Sequence, residues 1–168
     1  MPRKIKSKEY FRNLNLIYFA QLIAITALAA IAYFLIDQGN LGPANNDLAL
    51  SFQKAIMVLI PLSLVTGYIL FRVFLRGVRP EMPLVYKMKR YFTANLIRSA
   101  FLEIPGLFVS VAAMITAHNL FLVIVPLILI LFILFRPTKS VIGQELNLSM
   151  EERAKLNDPE AIISESLE

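Results

Sequence analysis

TANLIRSAFLEIPGLFVSVAAMIT, residues 93–116, is a 24-residue apolar run with two charges in it, Arg98 and Glu103. As a helix it rises about 36 Å, more than the roughly 30 Å of hydrocarbon in a bilayer. Glu103 falls near its middle. An ionisable group at that depth costs about 2.5 kcal/mol or more and is expected to face protein or water rather than lipid. Pro105 and Gly106 interrupt the run just beyond it.

Three further apolar runs flank this one, at 14–36, 55–75 and 120–135, the last near the short limit for a span. They raise the hydrophobic share of the chain to 57% and leave 17% charged, with mean hydropathy +0.63. Soluble domains are nearer half apolar and a quarter charged. Only helices and closed barrels satisfy their backbone in hydrocarbon, and continuous runs of this length indicate helices. The sequence therefore predicts an all-α polytopic membrane protein, a bundle of four transmembrane helices. Its transmembrane domain covers 1–136, and 137–168 is a polar tail. The basic start resembles a signal-peptide n-region, but the apolar run after it is too long for an h-region, so it reads as a retained first span.

Charge sets the expected orientation. Arg3, Lys4, Lys6, Lys8 and Arg12 precede the first run. Arg72, Arg76, Arg79, Lys87, Lys89 and Arg90 surround the connection between the second and third, and Arg136 and Lys139 follow the fourth. The connection over 37–54 has Lys54 as its only basic residue, and Ala117-His118-Asn119 has none. The positive-inside bias predicts both termini in the cytoplasm, at the bacterial inner membrane. Tyr18, Tyr33, Tyr68 and Tyr91 are candidate interface anchors. These basic residues track span boundaries and form no separate aromatic-interleaved patch, so the net charge of +5 does not indicate nucleic-acid binding. Ser149-Met150-Glu151-Glu152 matches a capping box, predicting a short helix from Met150 that fades by Asn157. The tail carries seven acidic and three basic residues, an excess that is usually solvated.

Asn95, Ser99, Glu103, Gly106 and Ser110 recur at spacings of three and four, so they share one polar or small helix face. Such faces suit close helix packing and interhelical hydrogen bonds. Glu103, with Ser99 and Asn95, is the candidate proton or cation site. The alternative is a protonated carboxyl that hydrogen-bonds a neighbouring helix. Arg98, Gln21, Ser63 and Thr66 are its candidate partners. Arg98 precedes Glu103 by five residues, about 140° around and about 7.5 Å along the helix, which favours extension of its guanidinium to the interface over pairing. Pro105 withholds a hydrogen bond one turn earlier, exposing a carbonyl near Phe101–Leu102 beside Glu103. Ala20, Ala24 and Ala27 form a second small face suited to close approach.

No cofactor is expected. The absence of cysteine excludes thiolate metal sites and cysteine nucleophiles, and His118 stands alone without a cluster of ligands. No phosphate-binding glycine loop, nucleophile elbow or zinc-protease motif occurs, which argues against a conventional enzyme.

Arg79-Pro80-Glu81-Met82-Pro83 followed by TANLIRSAFLEIPGLF resembles, over 79–108, the polar loop and second helix of the rotor proteolipid (subunit c) of F-type ATP synthase. That resemblance implies an ion-carrying carboxylate at Glu103. The proteolipid's preceding helix is glycine-rich, whereas the second run here has Gly67 alone. IRSAFLE, then FRPTK and LNLS-x-EE, is also similar to four-helix integral membrane proteins of Bacteroidota that have no assigned activity. The expected function is a small integral membrane protein that binds a proton or cation through Glu103. The alternative is a structural or accessory subunit of a larger membrane complex with no ion chemistry. The expected partners are the lipid bilayer and either further copies or other membrane subunits.

Overall fold

A computed structural model describes residues 4–165. Arg3 and Glu168, counted in the charge pattern above, lie outside the described residues. The chain runs through strand β1 (Lys4–Lys6), helices α1 (Ser7–Asp37), α2 (Asn46–Leu75) and α3 (Leu84–Thr116), and a 3-10 helix over Asn119–Val123. It continues through α4 (Ile124–Leu134), α5 (Lys139–Glu145), α6 (Met150–Asn157) and strand β2 (Ile162–Glu165).

The helices α1, α2 and α3 are long and apolar enough to cross a membrane. Each contains one of the apolar runs and extends beyond it by several polar residues. The fourth run begins as a 3-10 helix and becomes α4, together about 26 Å long. Counted as one bent span with α5, it brings the possible total to four. Half of the most apolar stretch of α3 is buried, against 11% for α1 and 22% for α2. Most of the apolar surface of α1 and α2 is left uncovered by the chain.

Residue contacts divide the chain into two units, each described in turn. The first comprises Met1–Tyr18, Ile69–Arg98 and Arg136–Glu168. It holds every described Lys and Arg residue except Lys54. Its core joins Tyr10 and Leu14 of α1, Phe71 of α2, Met88 and Tyr91 of α3, and Ile142 and Leu156 of the tail helices. Two short strands close it: β1 pairs antiparallel with β2, Lys4 opposite Glu165, with an irregularity after Ile5. The all-α reading did not contain this ribbon. Ser7 follows it, donating its hydroxyl to the Leu156 carbonyl at 2.7 Å and its backbone N–H to Ala161 at 2.9 Å. The helix α6 opens with a capping box, in which the Ser149 hydroxyl accepts from the Glu152 N–H and the Glu152 carboxylate accepts from the Ser149 N–H.

The second unit comprises Phe19–Tyr68 and Ser99–Phe135. Its buried side chains include Ile25 and Ala32 of α1, Val109 and Ala113 of α3, and Ile128 and Phe132 of α4. Gly106 lets α1 come close: a Cβ there would meet Ile25 Cδ1 and Cγ2 at 3.0 Å. From Leu14 onward the buried positions of α1 are Leu14, Tyr18, Ile25 and Ala32, with Gln21, Leu28 and Ala29 partly covered. Ala20, Ala24 and Ala27 are exposed, so the small face expected to pack is turned away from the chain. The larger side chains of the Leu14–Ala32 seam bury more apolar area than three alanines offer. Asn45 caps α2 by accepting from the Leu48 N–H at 3.0 Å and donates its own N–H to the Thr116 carbonyl at 3.0 Å. Ala117 turns the chain out of α3 in the left-handed region, with φ 54°.

Candidate functional site

The expected site does not assemble as one cluster. On α3 the polar or small positions Asn95, Ser99, Gly106 and Ser110 are all buried, whereas Glu103 is only partly covered. Its carboxylate makes no hydrogen bond or ion pair with any described residue. Ser110 spends its hydroxyl on the Gly106 carbonyl of its own helix at 3.0 Å.

The candidate partners have other engagements. Ser63 donates its hydroxyl to the Phe101 carbonyl at 2.6 Å. Phe101 lies four residues before Pro105, so this is the carbonyl that the missing proline N–H leaves unpaired. The carbonyl anticipated beside Glu103 is therefore capped by α2. Thr66 is partly buried and makes no bond to Glu103. Gln21 has its Oε1 buried without a hydrogen-bond partner among the described residues.

Arg98 is 7% exposed and its guanidinium faces the tail. Its Nη1 meets Glu145 Oε1 at 3.0 Å, its Nη2 donates to Asn95 Oδ1 at 2.9 Å, and its guanidinium carbon lies 4.1 Å over the Phe71 ring. Tyr91 donates its hydroxyl to the second oxygen of Glu145 at 2.7 Å. Sequence reasoning missed this network because Glu145 lies 47 residues from Arg98 in a tail read as solvated. The available signal was a charge in α3 with no acidic residue three or four positions away. A guanidinium with a nearby carboxylate gains charge-assisted bonds that offset part of its desolvation. Tyr18 and Tyr91, expected as interface anchors, are buried in protein, while Tyr33 and Tyr68 are half exposed.

A second, partly buried ion pair ties the tail to α3. Lys87 is 1% exposed; its Nζ meets Glu152 Oε1 at 2.7 Å and donates to the Pro80 carbonyl at 2.8 Å. Burial pushes the Glu152 carboxyl up, but the bonds from Lys87 and from the Ser149 N–H outweigh it and hold the group below its ordinary 4.5. Among the described residues no three His, Asp or Glu side chains gather in a way that holds a metal.

Three candidate spans suggest a membrane protein. No family model, no curated protein and no solved structure matches this chain.

Proposed function

We propose that the chain is an integral protein of the bacterial inner membrane with four spans, the fourth at 119–134, and both termini cytoplasmic. In this reading it is a non-enzymatic subunit of an oligomer, and Glu103 binds a proton or cation at the contact between chains. One observation carries the proposal: the Glu103 carboxyl lies on a candidate span and has no partner among the described residues of its own chain. Facing lipid while ionised is too costly, so the group takes a proton, a cation, or a donor from another chain. The gathering of every described Lys and Arg residue except Lys54 in the first unit supports the orientation.

A second reading, an accessory subunit of a larger complex without ion chemistry, draws on the Tyr91–Glu145–Arg98–Asn95 network. That network is hydrogen-bonded on both Glu145 oxygens and takes Asn95 away from Glu103.

The test is labelling by a membrane-soluble carbodiimide, to whose central carbon a protonated carboxyl adds. Labelling at Glu103 that falls with rising pH or with added sodium supports the first reading. Glu103→Gln that preserves assembly and phenotype, with no cation protection of the wild type, supports the second.

A further inference from the structure

A cavity of about 320 Å³ in the first unit is lined by Phe74 of α2 and by Tyr86, Lys89, Arg90 and Thr93 of α3. It holds two cations and no acid. Neither Lys89 nor Arg90 meets a carboxylate among the described residues, although both are partly buried. Elsewhere in this unit, the buried cations Lys87 and Arg98 each have an acidic partner.

Arg90 is held in place. Its Nε donates to the Tyr86 hydroxyl at 3.0 Å and its Nη1 to the Phe74 carbonyl at 3.4 Å. Its guanidinium also fills the space that a side chain at Gly77 would take, with Nη1 3.2 Å from the position of a Cβ there. These contacts leave Nη2 uncommitted, and the Tyr86 hydroxyl, which accepts from Arg90, keeps its own proton to give. The Lys89 ammonium is the third donor. Three donors carrying two positive charges, around a cavity with one aromatic wall, match a multi-oxygen anion attached to an apolar or glyceryl body.

We propose that this cavity binds a phosphate group, as the headgroup of an anionic phospholipid or as a soluble phosphate. Basic cavities beside the cytoplasmic ends of spans are suited to the first source. That source rests on the membrane-spanning reading above; the phosphate chemistry does not.

The experiment has two arms. In the first, full-length protein is placed in nanodiscs of phosphatidylcholine containing phosphatidylglycerol, and retained phosphatidylglycerol is counted by native mass spectrometry after transfer to detergent. In the second, inorganic phosphate is titrated into lipid-free protein in detergent. Lys89→Gln with Arg90→Gln is expected to lower binding about tenfold or more in one arm, since each lost charge-assisted contact is worth about that factor. Lys155→Gln, on the exposed side of α6, is expected to leave it unchanged. Loss in the phosphatidylglycerol arm assigns the lipid source, and loss in the phosphate arm the soluble one. Loss in the phosphate arm alone leaves the site standing and counts against the membrane placement. Binding unchanged by the double variant in both arms overturns the site. If the double variant does not fold, Lys89→Gln alone carries the test, and unchanged binding in both arms overturns the site equally.

Discussion

The Ser63 hydroxyl of α2 donates to the Phe101 carbonyl of α3 at 2.6 Å, four residues ahead of Pro105. Proline withholds the N–H that would serve that carbonyl, and a hydroxyl from another helix replaces it. A break in one helix is thereby converted into a bond between two. Ser63→Ala is expected to cost about 1 kcal/mol in thermal unfolding in detergent. Pro105→Ala restores the local N–H, so Ser63→Ala in that background is expected to be nearly neutral. A double-mutant cycle reads the difference, and additive costs would sink this account.

Gly106 gives way to Ile25 rather than serving a turn. Gly106→Ala pushes a methyl to about 3.0 Å from two Ile25 carbons and is expected to destabilise by about 1–3 kcal/mol. Ile25→Val, which removes the Cδ1 methyl, should recover part of that loss. Equal melting temperatures for wild type and Gly106→Ala would show that the contact is slack.

The tail is held by two partly buried pairs, and each makes a separate prediction. Glu145→Ala takes the carboxylate from Arg98 and the acceptor from Tyr91, which is expected to cost about 2–3 kcal/mol. Limited proteolysis in the segment over 137–165 reports it. Protection equal to wild type would mean that the tail is held chiefly by its apolar contacts.

The Glu152 pair adds a pH dependence. Because its carboxyl is held below the ordinary 4.5, the stabilisation is complete above that value and is lost as pH falls through the lower, folded-state value. Opening of α6, read by amide exchange corrected for the intrinsic rate, should therefore increase as pH falls below 4.5, with Glu152→Gln flattening that acid limb. An acid limb of full size in the variant would assign it to another group.

Orientation is read by labelling. A cysteine introduced by Ala44→Cys, in the exposed turn before α2, is expected to react with an impermeant thiol reagent added outside intact cells. The chain has no other cysteine, so the signal has one source. Reaction only after the cells are opened would reverse the proposed topology.

The long helices were legible because their information is local: an unbroken apolar run needs no knowledge of its neighbours. The same holds for the capping box, whose Ser149 and Glu152 are three residues apart. What sequence reading did not reach is non-local. Arg98 finds Glu145 across 47 residues, Lys87 finds Glu152 across 65, and Ser63 finds Phe101 across 38. Helical spacing predicted which positions of α3 share a face, and Asn95, Ser99, Gly106 and Ser110 are indeed buried. Spacing does not say which member of a face sits at its margin, which is where Glu103 lies. For the same reason the alanine stripe of α1 was misjudged: Ala20, Ala24 and Ala27 share a face, but the heavier seam of Leu14, Tyr18 and Ile25 takes the protein side.

The ribbon between Lys4–Lys6 and Ile162–Glu165 joins the first described residues to the last. The second strand follows every apolar helix in the chain, so β1 has no strand to pair with until all of them have been made. Closure of the ribbon therefore follows synthesis of all the long apolar helices. A chain cut before residue 162 leaves β1 without the strand it pairs with.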